Sequence, residues 1–551
     1  MLLRNREFCD IITMKYFLDV MRMNDYPLFV GKNCDAFKNF YDDEKQFSNM
    51  IDGRIPSLLT VGAGEHKGTV IAAADKASCG ADWGYIEIAV RTSDDNGEHF
   101  SDMKTVFAPP VRKYPFNGEE YSSAFAIDPL LMEGENGKVV MLVDFYPESK
   151  GLHAAKLLEK GSGYIKTDNG FALKLYTGKT KLDGIFARKG KVFTLQNDGF
   201  VYDDKGRKTQ FYVPKKHSAE YAYSTIGDMY YCVGEKPMYL DNPPPLMPES
   251  IFGDDIYVGN IYISKGKEIF NDKKIVTKYK KKVFDDKGNL LCIETEAAPL
   301  RAPMLSYIFK LESEDGGKTF SQPVDITPYY KEESDGIFLG VGPGVGITLR
   351  NELYKGRILA PCYILNKALV LISDDDGKTW RRNKGKFCEN IDECQLVEMP
   401  DGKVFCFGRP KGGGKIPFSV SYDGGDTFRK LSAIEPKVPQ CQRSVISVPE
   451  TFILPDNMEN DGRFILLAAP TGHSGKDVTR TEGKVFLGRI DDEKVSWLKT
   501  YDITDKEKYS SFGKYADFYA YSCLSCLDDN TVGLLYEAYP SGYMTFAKFE
   551  L

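Results

Sequence analysis

Histidine and tryptophan are scarce in this chain, at five and three among 551 residues. So few imidazoles leave little from which to build a zinc site, and no metal is expected. Twelve cysteines are scattered without a disulfide rhythm, which argues for a reducing or anaerobic setting over a stapled secreted domain. Cys523-Leu-Ser-Cys526 has CxxC spacing, but it lies in an alternating strand pattern and has no second pair. No apolar stretch approaches the length of a bilayer span. Excess charge is lacking too. A formal net charge of −7 offers no general attraction for nucleic acid, and the cluster Lys280, Lys281 and Lys282 reads as a solvated loop. At the N-terminus Lys15 and Asp19 interrupt the apolar residues between Ile11 and Val20, and no small-x-small cleavage site follows. That pattern reads as an amphipathic helix and not as a secretory signal, which leaves a cytoplasmic location open.

What the chain does have is aromatic and glycine content: 33 Tyr, 34 Phe and 51 Gly, as expected for many twisted strands and tight turns. It also has a repeat. Ser313 to Phe320, Ser373 to Trp380 and Ser421 to Phe428 share the pattern Ser-x-Asp-x-Gly-x-Thr-aromatic. A weaker copy runs from Ser93 to Phe100, with His99 in place of Thr, a change expected to loosen that turn. In each copy Asp can bond nearby backbone N–H groups and Gly can supply a positive φ, which is hairpin chemistry. Calcium binding is a poor alternative, because the carboxylates lack the EF-hand spacing and its terminal Glu.

The repeat sets the architecture. Its spacings of 60 and 48 residues suit a four-stranded propeller blade, whereas 220 residues separate Ser93 from Ser313. An insertion is expected in that gap. The chain is therefore read as all-β: an N-terminal extension (1–45), a first stretch of propeller (46–163), an inserted irregular β domain (164–303) and the remaining propeller (304–551). Roughly 370 propeller residues at about 60 per blade predict six blades. The glycine-dense Phe338-Leu-Gly-Val-Gly-Pro-Gly-Val-Gly346 lacks the Walker order and a Lys-Ser/Thr partner, so it reads as a tight loop beside the opening of a site.

Chemistry begins at Gly53-Arg54-Ile55-Pro56, where a Pro just inside a strand puts Arg54 at the strand's mouth. Joined to the repeated turns, this segment resembles the bacterial sialidases (exo-α-neuraminidases, glycoside hydrolase family 33). The resemblance covers roughly residues 50–160 and 300–551, and is closest to the group whose six-bladed catalytic propeller is interrupted by a small β domain. It implies a catalytic acid at Asp82, in Gly80-Ala-Asp82-Trp83, and a buried Glu393, in Asp392-Glu393-Cys394, paired with a nucleophilic Tyr521. Arg409 and Arg480 match the second and third arginines that join Arg54, and Glu537 the residue that orients Arg54. Ile127 and Asp128, in Ile127-Asp128-Pro129, and Tyr146 match a sugar pocket more weakly. One departure is Asp75-Lys76-Ala77, where many relatives carry a further arginine after Asp-Ala. No cofactor is implied.

The chemistry of the substrate supports this pattern of residue types. A sialic acid carries a carboxylate on its anomeric carbon, which three converging guanidinium groups can bind. That carboxylate would repel a carboxylate nucleophile but not a neutral phenol, and sialidases depart from the two-carboxylate scheme for this reason. A phenol with pKa near 10 needs a base, the role implied for Glu393. The expected reaction is retaining hydrolysis of terminal sialic acids from glycoproteins, glycolipids or oligosaccharides, by a monomer. Two other readings stay open. An intramolecular trans-sialidase would release 2,7-anhydro sialic acid, and a non-catalytic propeller would only bind sialoglycans.

Overall fold

The computed structural model describes residues 24–30, most of 52–147, most of 159–213, short strands between 228 and 294, and 300–551 save 386, 475–476 and 541–542. The helix expected before Val20, the lysine cluster at 280–282 and Trp83 lie outside the described residues.

Alternating apolar residues and tight turns produce six antiparallel sheets of four main strands. The first joins Ser522–Cys526, Thr531–Tyr539 and Tyr543–Glu550 to Asn24–Val30. Residues 24–30, read from sequence as part of an extension, thus supply an edge strand to the C-terminal strands, with Asn24 opposite Lys548 and Val30 opposite Tyr543. The second sheet runs Asp52–Thr60, Val70–Ala77, Ile86–Ser93 and Lys104–Phe107. The third runs Phe125–Glu133, Val139–Tyr146, Tyr307–Ser313 and Val324–Asp325, so its third strand arrives only after the long gap. Leu339–Val341, Ile358–Ile364, Lys367–Ser373 and Arg381–Arg382 form the core of the fourth. Ile391–Glu398, Val404–Pro410, Phe418–Ser421 and Arg429–Lys430 form the fifth. Ser444–Ser447, Phe464–Ser474, Asp477–Asp491 and Lys494–Asp502 form the sixth.

Each consecutive pair of sheets shares a buried apolar layer. Leu131 and Met141 of the third share one buried cluster with Ile71 of the second, and Leu142 shares another with Leu339 and Ile358 of the fourth. Further clusters hold Leu359 with Leu396, Phe405 with Ile465, and Leu466 with Leu534 of the first sheet. Residues of the gap form a separate sheet from Tyr164–Thr167 through Ile256–Asn260, with Leu300–Arg301 pairing Gly170–Thr177. It rests on the third sheet through the Tyr164 hydroxyl, which donates to Asp325 at 2.7 Å, and through the Phe171 and Tyr329 rings.

All four repeated turns connect the third strand of a sheet to its fourth. In the copy at Ser373, its Oγ donates to Asp375 at 2.9 Å and accepts the Gly377 N–H at 2.8 Å, while Asp375 accepts the N–H and the hydroxyl of Thr379. His99 does not loosen the first turn as expected. Its N–H still reaches Asp95 at 2.9 Å, and its Nδ1 takes the threonine hydroxyl's place at 2.8 Å.

The glycine-dense segment is not a loop at an opening. Gly344–Val345 pairs in parallel with Leu130 and Leu131 in the buried interior, and the Ser57 hydroxyl donates to the Gly344 carbonyl at 2.5 Å. A Cβ on Gly346 would come within 2.5 Å of the Met132 side chain, so close packing explains the glycine there. Replacing the fully buried Ser373 by Ala orphans the Gly377 N–H. It should cost about 1–3 kcal/mol, read as a lowered midpoint of urea unfolding.

Candidate active site

Arg54 sits on the first strand of the second sheet, where the register breaks between Arg54 and Ser57. The break is made by Ile55, which precedes Pro56 and is held at φ +55°; the Ile55 N–H donates to the buried Glu537 carboxylate at 3.1 Å. The same carboxylate oxygen lies 3.5 Å from Arg54 Nε. On its other side Arg54 Nη1 meets Asp82 at 2.5 Å, and the Asp82 side chain is 60% exposed. Burial opposes the charge of Arg54, but Glu537 and Asp82 overcome it and hold the guanidinium well above its ordinary pKa.

A second group is built across three sheets. Glu393 lies at a register break on the first strand of the fifth sheet, and Arg409 near the end of the second. Tyr521 immediately precedes the first strand of the first sheet, its carbonyl accepting the Glu537 N–H at 3.0 Å. The Tyr521 hydroxyl donates to Glu393 Oε1 at 2.8 Å and accepts from Arg409 Nη1 at 2.7 Å. Arg409 Nη1 is also 2.6 Å from Glu393 Oε2. Arg480, on the third strand of the sixth sheet, shares the Gln440 carbonyl with Arg409, at 3.0 and 3.3 Å. The Arg409 and Arg480 guanidinium carbons stand 5.7 and 5.6 Å from the Tyr521 ring centre. Ile55 and Tyr521 pack in one small buried cluster, which joins the two groups.

Burial pushes the Tyr521 phenol well above its ordinary pKa; Glu393 adds to the rise, while Arg409 and Arg480 oppose it. The phenol is therefore neutral at pH 7, with a carboxylate placed to accept its proton.

Asp128 lies at the edge of this arrangement. Its φ is +65°, it precedes Pro129, and its N–H donates to Asp75 at 3.0 Å. Burial first, and then the charges of Glu393 and Asp82, push its carboxyl well above the usual range. Ile127 and Tyr146 belong to a buried layer with Phe125 and Phe338, Tyr146 stacking on Phe125 at 5.0 Å. The structure thus gathers Arg54, Asp82, Glu393, Arg409, Arg480, Tyr521 and Glu537 in contact, with Asp128 close by and Tyr146 set back in the core.

Sequence reasoning missed Gln440, whose carbonyl holds two arginines and whose amide donates to Asp392 at 2.6 Å. It also missed Tyr363, packed on Phe338 with Glu393 and Asp128 as charged neighbours, and the buried Arg443, which donates to the Gly408 carbonyl. Burial pushes Arg443 down to about 10, and Arg409 adds to the fall. The one visible signal was the polar run Gln440-Cys-Gln-Arg443 ahead of an apolar strand. Among the described residues no group of three or more His, Cys, Asp or Glu could hold a metal ion, and no helix is long and apolar enough to cross a membrane.

A BNR repeat-like domain model matches residues 291–533. The chain is 28% identical over 527 residues to the anhydrosialidase of Macrobdella decora, covering 91% of this chain and 59% of that protein. It is 26% identical over 507 residues to Sialidase B of Streptococcus pneumoniae serotype 4, covering 89% and 62%. It thus spans about three fifths of the length of these relatives. In fold it resembles the intramolecular trans-sialidase from Ruminococcus gnavus, solved with oseltamivir carboxylate. The TM-score is 0.63 at 24% identity, over 92% of this chain and 95% of that one. The likeness in sequence to proteins named as sialidases thus runs over nine-tenths of this chain, and its fold is like that of a solved trans-sialidase.

Proposed function

We propose that this chain is a retaining exo-α-sialidase that releases terminal sialic acid from glycoconjugates through a covalent tyrosyl-sialosyl intermediate. The observation that carries this reading is the Tyr521 hydroxyl held between Glu393 and Arg409. Glu393 takes the proton as the phenol attacks the anomeric carbon, and Asp82 protonates the departing glycosidic oxygen, then activates water for the second displacement. Arg54, Arg409 and Arg480 bind the substrate carboxylate, Glu537 orients Arg54, and Asp128, Ile127 and Tyr146 serve the remainder of the sugar. In the same reading the six sheets are the blades of one propeller, closed by the pairing of residues 24–30 with the C-terminal strand. Residues 164–303 are then a domain inserted within the third blade. The closed succession of shared apolar layers supports this architecture.

A second reading concerns only what attacks the intermediate. The relatives named anhydrosialidase and intramolecular trans-sialidase favour capture by the sugar's own hydroxyl, giving 2,7-anhydro sialic acid. That reaction goes with a bulky aromatic shielding the aglycone side; against it, Trp380 is engaged on the Gly377 carbonyl of a turn, Trp497 on the Glu435 carbonyl, and the segment after Glu537 carries no tryptophan. Hydrolysis remains the primary reading.

Tyr521→Phe should lower kcat on an aryl α-sialoside by about three orders of magnitude or more, with the fold intact by circular dichroism. An inactive wild type that still binds sialoglycans would instead make the protein a binding module. Proton NMR of the reaction should show free sialic acid as the main product; a dominant 2,7-anhydro sugar replaces hydrolysis by the intramolecular reaction. Ultraviolet difference titration, wild type minus Tyr521→Phe, should show the phenol ionising only above about pH 10. In Glu393→Gln that ionisation should move to lower pH, because a negative neighbour is lost while Arg409 and Arg480 remain.

A further inference from the structure

The device that fixes Arg54 occurs a second time, one sheet further along. In the second sheet Arg54 lies opposite Asp75, and the register breaks at Ile55-Pro56. In the third, Ile127 lies opposite Asp144, and the register breaks at Asp128-Pro129. Ile55 and Asp128 are therefore equivalent positions, and both are non-glycine residues in the left-handed region, at φ +55° and +65°. A non-glycine residue is held there only when its surroundings over-determine it.

Both are pinned in the same way. A buried carboxylate on the second strand of the preceding sheet accepts the residue's N–H: Glu537 for Ile55 at 3.1 Å, and Asp75 for Asp128 at 3.0 Å. The pattern goes one sheet further still, with Asp144, on the second strand of the third sheet, accepting the Val341 N–H at 3.0 Å. Because a proline follows each left-handed residue, neither turn has a ladder N–H on its C-terminal side, and the latch is what holds it.

We infer that Asp75 is the positioning residue for Asp128, as Glu537 is for the Arg54–Ile55 turn. Resting on the sialidase reading above, this assigns to Asp75 the orientation of the Asp128 carboxylate toward the hydroxyl or amide donors of the bound sugar. Asp75 itself is 2% exposed; its hydrogen bond to the site is the one to Asp128, and the charges of Arg54 and Asp82 lie near it. The lysine beside it, Lys76, is turned away to Glu87 at 2.8 Å. Asp75 thus serves the pocket from the very segment in which many relatives place an arginine.

The test compares Asp75→Ala, which removes the acceptor, with Asp75→Asn, which keeps a carbonyl oxygen at the same reach. On an aryl α-sialoside Asp75→Ala should raise KM about tenfold with kcat within about threefold, and Asp75→Asn should restore most of the loss. Asp75→Ala combined with Asp128→Ala should be no worse than Asp128→Ala alone, since one residue acts through the other. Should Asp75→Ala not fold, Asp75→Ser, polar but too short to reach, carries the same comparison. An unchanged KM in the Ala or Ser variant, an Asn variant as impaired as Ala, or additive losses would each overturn the inference. Peptide hydrogen exchange reads the latch without activity: residues 125–133 should exchange faster in Asp75→Ala but not in Asp75→Asn. A wild type without turnover sinks the sialidase reading, and the exchange result still decides for or against the latch.

Discussion

Three guanidinium groups can be gathered in one cleft only if something neutralises or shares each of them, because unscreened like charges at short range repel strongly. Everything else around the site follows from how that is done. Arg54 is clamped by Glu537 and Asp82, and Arg409 by Glu393. Arg480 forms no ion pair among the described residues; with the charge of Glu537 nearby, it shares the Gln440 carbonyl with Arg409 and stands near the Tyr521 ring. In the proposed reaction the residues that keep the arginines together are also the ones a glycosidase needs: an exposed acid, a buried base and a phenol between base and cation. On that proposal, neutralisation and catalysis are arranged by one set of contacts.

Those contacts join residues far apart in the chain, and only a stack of sheets with matched strand ends delivers them. Tyr521 and Glu393 come from the first and fifth sheets, Arg54 and Asp82 from the second, and Arg480 from the sixth. The first, second, third and fifth sheets contribute Tyr521, Arg54, Asp128 and Glu393 at or just before their first strands, three of them at a register break, and the sixth contributes Arg480 from its third strand.

Much of this was legible in sequence, for physical reasons that differ from residue to residue. The repeated turns were readable because Ser, Asp, Gly and Thr at fixed offsets have one economical hydrogen-bonding arrangement, and the same spacing exposed the long gap. Arg54 and Tyr521 were readable through their surroundings and not through their own types. Gln440 was not, because its contribution to Arg480 and Arg409 is a backbone carbonyl, which any residue could supply. The glycine-dense segment was misjudged because close packing in the interior and a turn at an opening ask for the same residue. His99 was misjudged because an imidazole nitrogen can fill a hydroxyl's place in a turn. Asp75 was noticed only for the arginine missing beside it; its own contact, to the N–H of Asp128, depends on which sheets become neighbours.

The pairing of Asn24–Val30 with Tyr543–Glu550 has a bearing on the order of assembly. Its partners are separated by more than five hundred residues, so that sheet gains its last strand only once residues 543–550 have been made. The strand that begins just after Tyr521 belongs to that sheet. A ribosome-bound chain can hold Arg54, Glu393 and Arg409 on finished sheets and still lack the phenol. Of the three groups proposed for the chemistry, Asp82, Glu393 and Tyr521, the phenol is then the last to be made.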